Sequence, residues 1–442
     1  MAGMRTSRWV TAGLVDQVVI SAANAANTLL ALALLDRVRA GIMLLSLGVA
    51  YLVIGISRAF VGEVLLALAS RYDGERGTRL VRNGLTAALG LALSAALVLL
   101  VLWRVLPVEG DVDLRDLIWV VPFLPSLLVH DTARYSYLAA RLPQQALVID
   151  SVWVGTQLLA VAVMYATGHI TAGSLFVSWG LGATAGAAVF LLRSRLVPWS
   201  GNPRQWFAET RFLSGWFTAT ALIGQFQVQA VAFLVAHQLS ARELSGLRGA
   251  QIALLQPVQN FITAMMGLLV PRASRLAGAA AQEGAEGRSA ADALRRQTRL
   301  LALGAAVIAT VMVAILVPVA RTVLTRIPKF ADIAPLALPI AIQPALYLIQ
   351  LPYAAALRGM HRARMLFVQY VVFTTTSLTG LVVGARLDRL PGAAWGLTTG
   401  SVVGLVAMMA LYYAGLRGLR EAPANGFAAL EEAPEPAAPS TP

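Results

Sequence analysis

Long apolar stretches, separated by short polar or charged breaks, run along the chain from Val10 to Gly418. Most are about 20 residues long or longer, the length that an α-helix needs to cross the hydrocarbon core of a bilayer. A transmembrane β-barrel would alternate polar and apolar residues, which the run 85–101 does not. The pattern predicts an all-α, polytopic membrane protein with about 12 spans. The predicted spans are 12–35, 41–68, 80–106, 115–140, 145–167, 171–193, 211–237, 246–271, 299–322, 333–357, 364–386 and 392–416.

Composition and charge fit a protein that has the bilayer as its solvent. The chain of 442 residues is 58% hydrophobic and 13% charged, with a mean hydropathy of +0.70. The net charge of +13 does not indicate nucleic acid, because the basic residues cluster at the ends of apolar segments. With the N-terminus inside, 22 basic residues fall on the cytoplasmic side and 11 outside. We therefore expect a multi-pass membrane protein with both termini in the cytoplasm.

The spans are predicted to form two halves of six helices each. Ser178-Trp179-Gly180-Leu181 in the first half is echoed by Ala394-Trp395-Gly396-Leu397 in the second. An even number of spans per half gives both halves the same polarity, related by an axis along the membrane normal. The predicted organisation is a first bundle at 1–196, an interfacial linker at 197–216, a second bundle at 217–420 and a disordered tail rich in Ala, Pro and Glu at 421–442.

Polar side chains recur inside several predicted spans. In the first span Gln17, Ser21 and Asn24 share one helix face, and the seventh span repeats the stripe with Thr218, Gln225 and Gln229. Amides that only bridge packed helices give the same pattern, each worth about 1 kcal/mol in model systems. Taken together, the stripes favour a hydrated central cavity. Its further predicted lining residues are Gln256, Gln259, Asn260 and Gln343.

Ionisable residues at membrane depth are the sharpest signals, because such groups normally face a partner or water. Arg58 lies inside the second span, Asp131 and Arg134 in the fourth, and Asp16 near the cytoplasmic end of the first. The planar guanidinium group binds oxyanions in a bidentate manner, so Arg58 and Arg134 are candidates for holding a pyrophosphate. In the alternative interpretation they form structural ion pairs, Arg58 with Asp16 and Arg134 with Asp131.

Several enzyme classes are disfavoured by what the sequence lacks. It has no cysteine, its single lysine lies outside any Walker A motif, and no HExxH metal motif occurs. We predict no catalytic residue, metal site or cofactor. Asp111-Val112-Asp113 resembles the DxD of metal-dependent glycosyltransferases, which keeps a membrane-embedded glycosyl transferase or polymerase as the least favoured alternative.

The motifs resemble those of one transporter superfamily. Ser57-Arg58-Ala59-Phe60, the segment 254–261 (LLQPVQNF), the segment 269–275 (LVPRASR) and Ala356-Leu357-Arg358-Gly359 look like the polysaccharide-transport branch of the multidrug/oligosaccharidyl-lipid/polysaccharide (MOP) exporters. The resemblance covers residues 10–418. It implies a Wzx-like flippase with two bundles in a V, alternating access and a central cavity for a polyprenyl-pyrophosphate-linked glycan.

The resemblance also carries functional expectations. It assigns the pyrophosphate to a cavity arginine, which maps onto Arg58, and leaves the polyprenyl tail among membrane lipids. Glycan-assembly enzymes are then possible partners, and the expected product of transport is a precursor for polysaccharide biosynthesis. The alternative within the superfamily is a cation-coupled multidrug exporter, in which Asp16 would be the coupling carboxylate.

Overall fold

The computed structural model describes residues 15–16, 19, 30–31, 33–35, 37–72, 74–105, 114–281, 285–326 and 334–421. Within these residues the secondary structure is helical and contains no β-strand, which confirms the predicted all-α class. The helices of the first half are α1 (Arg37–Ser57), α2 (Glu63–Ala67), α3 (Glu75–Val105), α4 (Leu124–Ala139), α5 (Pro143–Ala166) and α6 (Ala172–Ser194). Those of the second half are α7 (Pro203–Gln238), α8 (Ala241–Leu254), α9 (Gln256–Ala280), α10 (Ala285–Arg326), α11 (Ala337–Gly359) and α12 (Ala363–Glu421).

Eight helical segments among the described residues are long and apolar enough to cross a membrane. The longest, 363–417, contains both of the last two predicted spans. They meet at a kink where Asp388 and Arg389 leave the helical conformation, Arg389 with a φ of 45°. The predicted first span lies almost wholly outside the described residues, and so does the tail predicted to be disordered.

The predicted fourth span is divided at its prolines. Residues Leu114–Phe123 form a 3-10 helix that contains Pro122, and the regular helix α4 begins only at Leu124. Pro125 sits in the first turn of α4, where its missing N–H costs no helix hydrogen bond. The prolines therefore set the start of the α-helix that carries Asp131 and Arg134.

The interfacial linker predicted at 197–216 is shorter than expected. Pro203 begins α7, and the Asn202 side chain caps the helix by accepting hydrogen bonds from the backbone N–H groups of Arg204 and Gln205. Trp206, which falls inside the predicted linker, is buried in the core. A proline at the first helical position and a capping asparagine are helix-start signals, and they outweigh the linker-like composition.

The helices from 37 to 194 pack mainly with one another, and so do those from 203 onwards. The same tight turn recurs in both groups: Arg141 and His361 each take a left-handed φ of about 60° two residues before the next helix. The echoed tryptophans differ, since Trp179 is buried whereas Trp395 is 45% exposed. Helix turns are thus repeated more faithfully than individual side-chain environments.

Candidate functional site

A cavity of about 750 Å³ lies between the two groups of helices. Both groups contribute to its wall. The polar lining of the first half is mainly charged, whereas that of the second half is mainly amides, set among apolar side chains. Seven of the side chains predicted to line a cavity do so. They are Asp16, Arg58, Arg134, Gln225, Gln259, Asn260 and Gln343.

Arg58 occupies the first position of a π-helical turn, Arg58–Gly62, inside the second predicted span. Its Nε lies 2.9 Å from Asp131 Oδ1 and 3.1 Å from Oδ2, and its Nη2 lies 2.7 Å from Oδ1. The Arg58 side chain nevertheless remains 36% exposed, whereas that of Asp131 is 10% exposed. The Arg58 guanidinium is thus bound to Asp131 on one side, while another part of the guanidinium faces the cavity. Single π turns inside α-helices occur often at functional sites.

Arg134 is buried among carboxylates. Its Nη2 lies 2.8 Å from Asp16 Oδ2, and its Nε lies 3.0 Å from Asp150 Oδ2. The other carboxylate oxygen of Asp150 is 3.2 Å from Nε2 of His130, too poorly aligned to count as a hydrogen bond. The His130 ring packs edge-on against Trp153, with 5.0 Å between centroids. Arg134 therefore forms ion pairs with two carboxylates in a site that is almost closed to solvent.

The ion pairs differ from those predicted as the structural alternative. Both arginines are paired, but Arg58 binds Asp131 and Arg134 binds Asp16. The prediction rested on spacing within α4, where Asp131 and Arg134 are three residues apart, but the two side chains take partners from other helices. Asp150 was missed altogether, although a carboxylate inside the fifth predicted span is itself a sign of a buried partner.

The predicted polar stripe of α7 is not the face that meets the cavity. The cavity-lining positions centre on Phe217, Ala221, Gly224, Val228 and Val231, a mostly apolar stripe. Residues that follow one position later are turned by about 100° on a helix. Of the predicted stripe, only Gln225 reaches the cavity.

The other two members of that stripe, Thr218 and Gln229, are not among the lining residues. Gln227, which was not predicted, lines the cavity and accepts a hydrogen bond from Thr374. The polar residues of α7 therefore lie beside the face that lines the cavity rather than at the centre of that face. The predicted Gln17, Ser21 and Asn24, and the side chain of Gln256, lie outside the described residues.

The second half supplies an uncharged polar wall. Gln343, Tyr347 and Gln350 follow one another along α11, and Gln369 and Tyr370 face them from α12. Gln350 donates to the carbonyl of Ser401 at 3.3 Å, and Gln369 donates to the carbonyl of Gly404 at 3.2 Å. This wall offers amide donors and acceptors without a net charge.

The two halves are joined at one end of the cavity by charged contacts. Arg358 Nε lies 2.8 Å from Glu63 Oε2, and Arg71 donates to the Gly359 carbonyl at 2.7 Å and to Ser274 Oγ at 2.9 Å. We call this region, formed by residues 63–71 of the first half and residues 274 and 358–361 of the second, the closed end. Arg71, Arg275 and Arg358 belong to the side predicted to be cytoplasmic.

Backbone contacts at the closed end are equally close. Ser274 Oγ donates to the carbonyl of Ala67, and His361 Nε2 lies 3.0 Å from the same oxygen. A Cβ added to Gly359 would lie 2.6 Å from the backbone nitrogen of Ser274, so only glycine permits this approach. Around these contacts a single buried apolar cluster includes Leu65 of the first half and Leu357 of the second.

His361 lies in the turn between α11 and α12, outside both spans. Burial, together with the positive charge of Arg71, lowers the pKa of His361 to about 3. The imidazole is therefore neutral at physiological pH, and its Nε2–H can donate to the Ala67 carbonyl oxygen.

Three solved structures that share this fold are those of membrane transporters. One is an outward-facing multidrug resistance MATE family transporter of the MOP superfamily, with a TM-score of 0.77 and 11% identity over 94% of this chain and 96% of that one. Another is the Vibrio cholerae MATE transporter VcmN, with a TM-score of 0.72 and 15% identity over 93% of this chain and 96% of that one. A third is a MOP superfamily transporter from Pyrococcus furiosus, with a TM-score of 0.72 and 10% identity over 94% of this chain and 96% of that one.

No family model matches the sequence, and no curated protein matches it. At identities between 10% and 15%, the structural likeness speaks for the fold alone. Because the likeness extends over more than nine tenths of the chain, it includes both groups of helices. The chain has the fold of the MATE transporters of the MOP superfamily.

Proposed function

We propose that the chain is a membrane transporter that moves its substrate by alternating access through the cavity between its two halves. The observation that carries the proposal is the closed end. There the halves are joined by the ion pair between Glu63 and Arg358, which we call the latch, while a polar cavity of about 750 Å³ lies between the halves. Opening this latch and closing the far side would expose the same cavity to the opposite face of the membrane. With the predicted orientation, the latch separates the cavity from the cytoplasm of a bacterial cell.

We further propose that the substrate is a lipid-linked oligosaccharide or polysaccharide precursor. Amides and tyrosines, the groups that make up the wall from α11 and α12, suit the hydroxyl groups of a glycan because they both donate and accept hydrogen bonds. Arg58, 36% exposed to the cavity, is placed to reach a diphosphate at the edge of this wall.

A cation-coupled multidrug exporter is the second candidate, and the charge balance of the cavity favours it. Each arginine that the structure describes in the cavity lining is paired with at least one carboxylate, so its charge is already balanced before an anionic diphosphate could bind. Arg58, Arg134 and Arg358 line the cavity with Asp16 and Glu63, and the other two carboxylate partners, Asp131 and Asp150, lie outside the lining. With these partners counted, carboxylates outnumber guanidinium groups, which suits a cationic substrate better than an anionic one.

Substitutions in cells separate the two candidates. If the chain exports a glycan precursor, Arg58→Ala abolishes surface glycan while the protein remains in the membrane. Arg58→Lys keeps a charge beside Asp131 but loses the bidentate fork, so it should fold and show reduced glycan. The exposed Arg204→Ala is the matched control. Unchanged glycan in both Arg58 variants would refute the role of this arginine.

For a multidrug exporter, Asp16→Asn should instead remove drug resistance and leave surface glycan intact. A glycosyl transferase or polymerase makes a third, different prediction. It should lose activity when Asp111 or Asp113 becomes alanine, whereas a transporter of either kind should not. Glycan display and drug susceptibility, measured on the same set of variants, therefore assign one class.

A further inference from the structure

A buried network of amides connects α11 with the two arms of α12 and borders the cavity. Gln343, Gln350 and Gln369 are each less than one tenth exposed. Gln369 Nε2 lies 3.5 Å from Gln350 Oε1, and Gln343 Nε2 lies 3.4 Å from Thr398 Oγ1. Good N–H···O hydrogen bonds are about 2.9 to 3.0 Å long, so these side chains hold one another only weakly.

Two oxygens of α12 that face the cavity have no hydrogen-bond partner within the described part of the chain. Gln369 is 1% exposed and Ser377 is fully buried, yet Gln369 Oε1 and Ser377 Oγ are both unpaired and both residues line the cavity. They lie eight residues apart on the helix, a separation of about 12 Å along its axis. A buried polar atom without a partner is destabilising, and a ligand that supplies the missing hydrogen bonds removes that penalty.

Aromatic rings flank the same amides. Tyr347 and Phe373 meet edge to face with their centroids 5.8 Å apart, and Tyr370 packs against Phe373 at 6.3 Å. All three residues line the cavity. A sugar ring presents hydroxyl groups around its edge and C–H groups on its faces, so it needs both kinds of contact.

The chemistry of this wall also argues against a charged ligand. Its members between residues 343 and 350 and between 369 and 377 are amides, hydroxyls and aromatic or apolar side chains, without a carboxylate or a guanidinium. The charged residues of the cavity belong to the first half and to the closed end. A neutral ligand rich in hydroxyl groups therefore fits this wall best.

We propose that the wall formed by Gln343, Tyr347, Gln350, Gln369 and Ser377 is a sugar subsite that determines which glycan is transported. The proposal rests on the proposed export of a lipid-linked glycan and deepens it. The sugar binds along α11 and α12 while the diphosphate lies toward Arg58 in the first half. The polar stripe from Gln343 to Gln350 is about 10 Å long, which accommodates more than one sugar ring.

Binding to the purified full chain in nanodiscs tests the subsite. The probes are short polyprenyl diphosphates carrying a glucose-, galactose- or mannose-containing disaccharide, and the same polyprenyl diphosphate without sugar. The wild type should bind at least one glycosylated probe about tenfold or more tightly than the bare one, since each added hydrogen bond to a buried group contributes up to about tenfold.

The informative variant is the double substitution Gln350→Leu with Gln369→Leu. It removes both members of an amide pair, which preserves folding better than orphaning one of them. The preferred glycosylated probe should then bind no better than the bare probe, whose affinity stays unchanged. Gln157→Leu is the control, because Gln157 is a buried amide that does not line the cavity.

The outcomes separate this inference from the proposed function beneath it. If the wild type binds glycosylated and bare probes equally, a lipid-linked substrate remains supported and the sugar subsite is refuted. The subsite is also refuted if the double variant keeps the wild-type preference or loses affinity for both probes equally. Binding of neither probe by the wild type overturns the proposed substrate and the subsite together.

Discussion

Acidification should loosen the closed end, and His361 is the reason. In the closed structure its pKa is about 3, against an ordinary value of 6.5. In the open state water reaches the ring, so His361 should be protonated at a pH below its ordinary pKa of 6.5. In the closed state the buried ring should stay neutral down to about pH 3. Its contribution to closure is therefore complete above pH 6.5 and declines as the pH falls toward 3.

The size of the effect follows from the distance to the ordinary pKa. The free-energy cost of keeping His361 neutral in the closed state is close to zero at pH 7. At pH 5, which is 1.5 units below the ordinary pKa, this cost reaches about 2 kcal/mol. The ratio of open to closed molecules should thus rise about thirtyfold between pH 7 and pH 5. The Arg71 guanidinium, which also lowers the pKa of His361, should be charged at both pH values, because arginine in proteins does not deprotonate in this range.

Spin-label distances can measure this opening. The chain has no cysteine, so Thr78→Cys and Ser289→Cys, both at exposed positions, give one labelled site in each half without background. The population of longer distances between the labels should grow as the pH falls from 7 to 5. His361→Gln keeps an N–H donor for the Ala67 carbonyl but cannot titrate, so it should remove the pH dependence. An unchanged distance distribution in the wild type, or the same pH response in His361→Gln, would refute the reasoning.

Four further substitutions address the latch and the buried ion cluster. Glu63→Gln removes the charge that holds Arg358 at 2.8 Å, and should increase the open population at pH 7 in the same spin-label measurement. Gly359→Ala adds a methyl group where no space exists and should prevent full closure, whereas Gly155→Ala, with open space around it, should not. Asp150→Asn leaves Arg134 with one carboxylate and should lower the thermal stability modestly, by about 1 kcal/mol. Arg134→Gln leaves two buried carboxylates without their cation and should lower the stability of the purified protein by about 3 to 5 kcal/mol, measured by thermal unfolding. Equal losses of stability in Asp150→Asn and Arg134→Gln would contradict this reasoning.

Most helix positions could be predicted from the sequence, because the length of an apolar run is fixed by the thickness of the bilayer. The predicted span 80–106 corresponds to α3 and 145–167 to α5, each within a few residues. The departures occur where local backbone chemistry overrides hydrophobicity. The capped start of α7 at Pro203 fell inside a segment composed like a linker, and the prolines near Phe123 delayed α4.

The candidate site was predictable in kind but not in detail. Ionisable residues inside apolar runs pointed to this wall, and Asp16, Arg58 and Arg134 all lie in the lining of the cavity. Which carboxylate meets which arginine depends on helix packing, and the spacing of residues along one helix holds no information about neighbours from other helices. The rotation of α7 about its own axis is likewise a tertiary property, so Gln229 could not be separated from Gln225 on polarity alone.

The π turn after Arg58 has a mechanical consequence. A π turn accommodates one residue more than an α turn, and its return to regular α-helix would rotate every residue beyond it by about 100° relative to those before it. Glu63 immediately follows this turn, so such a rotation would swing its carboxylate away from Arg358. The same five residues thus place Arg58, which faces the cavity, and Glu63, which binds Arg358, on either side of one irregular turn, so a change in the geometry of that turn would shift both contacts together.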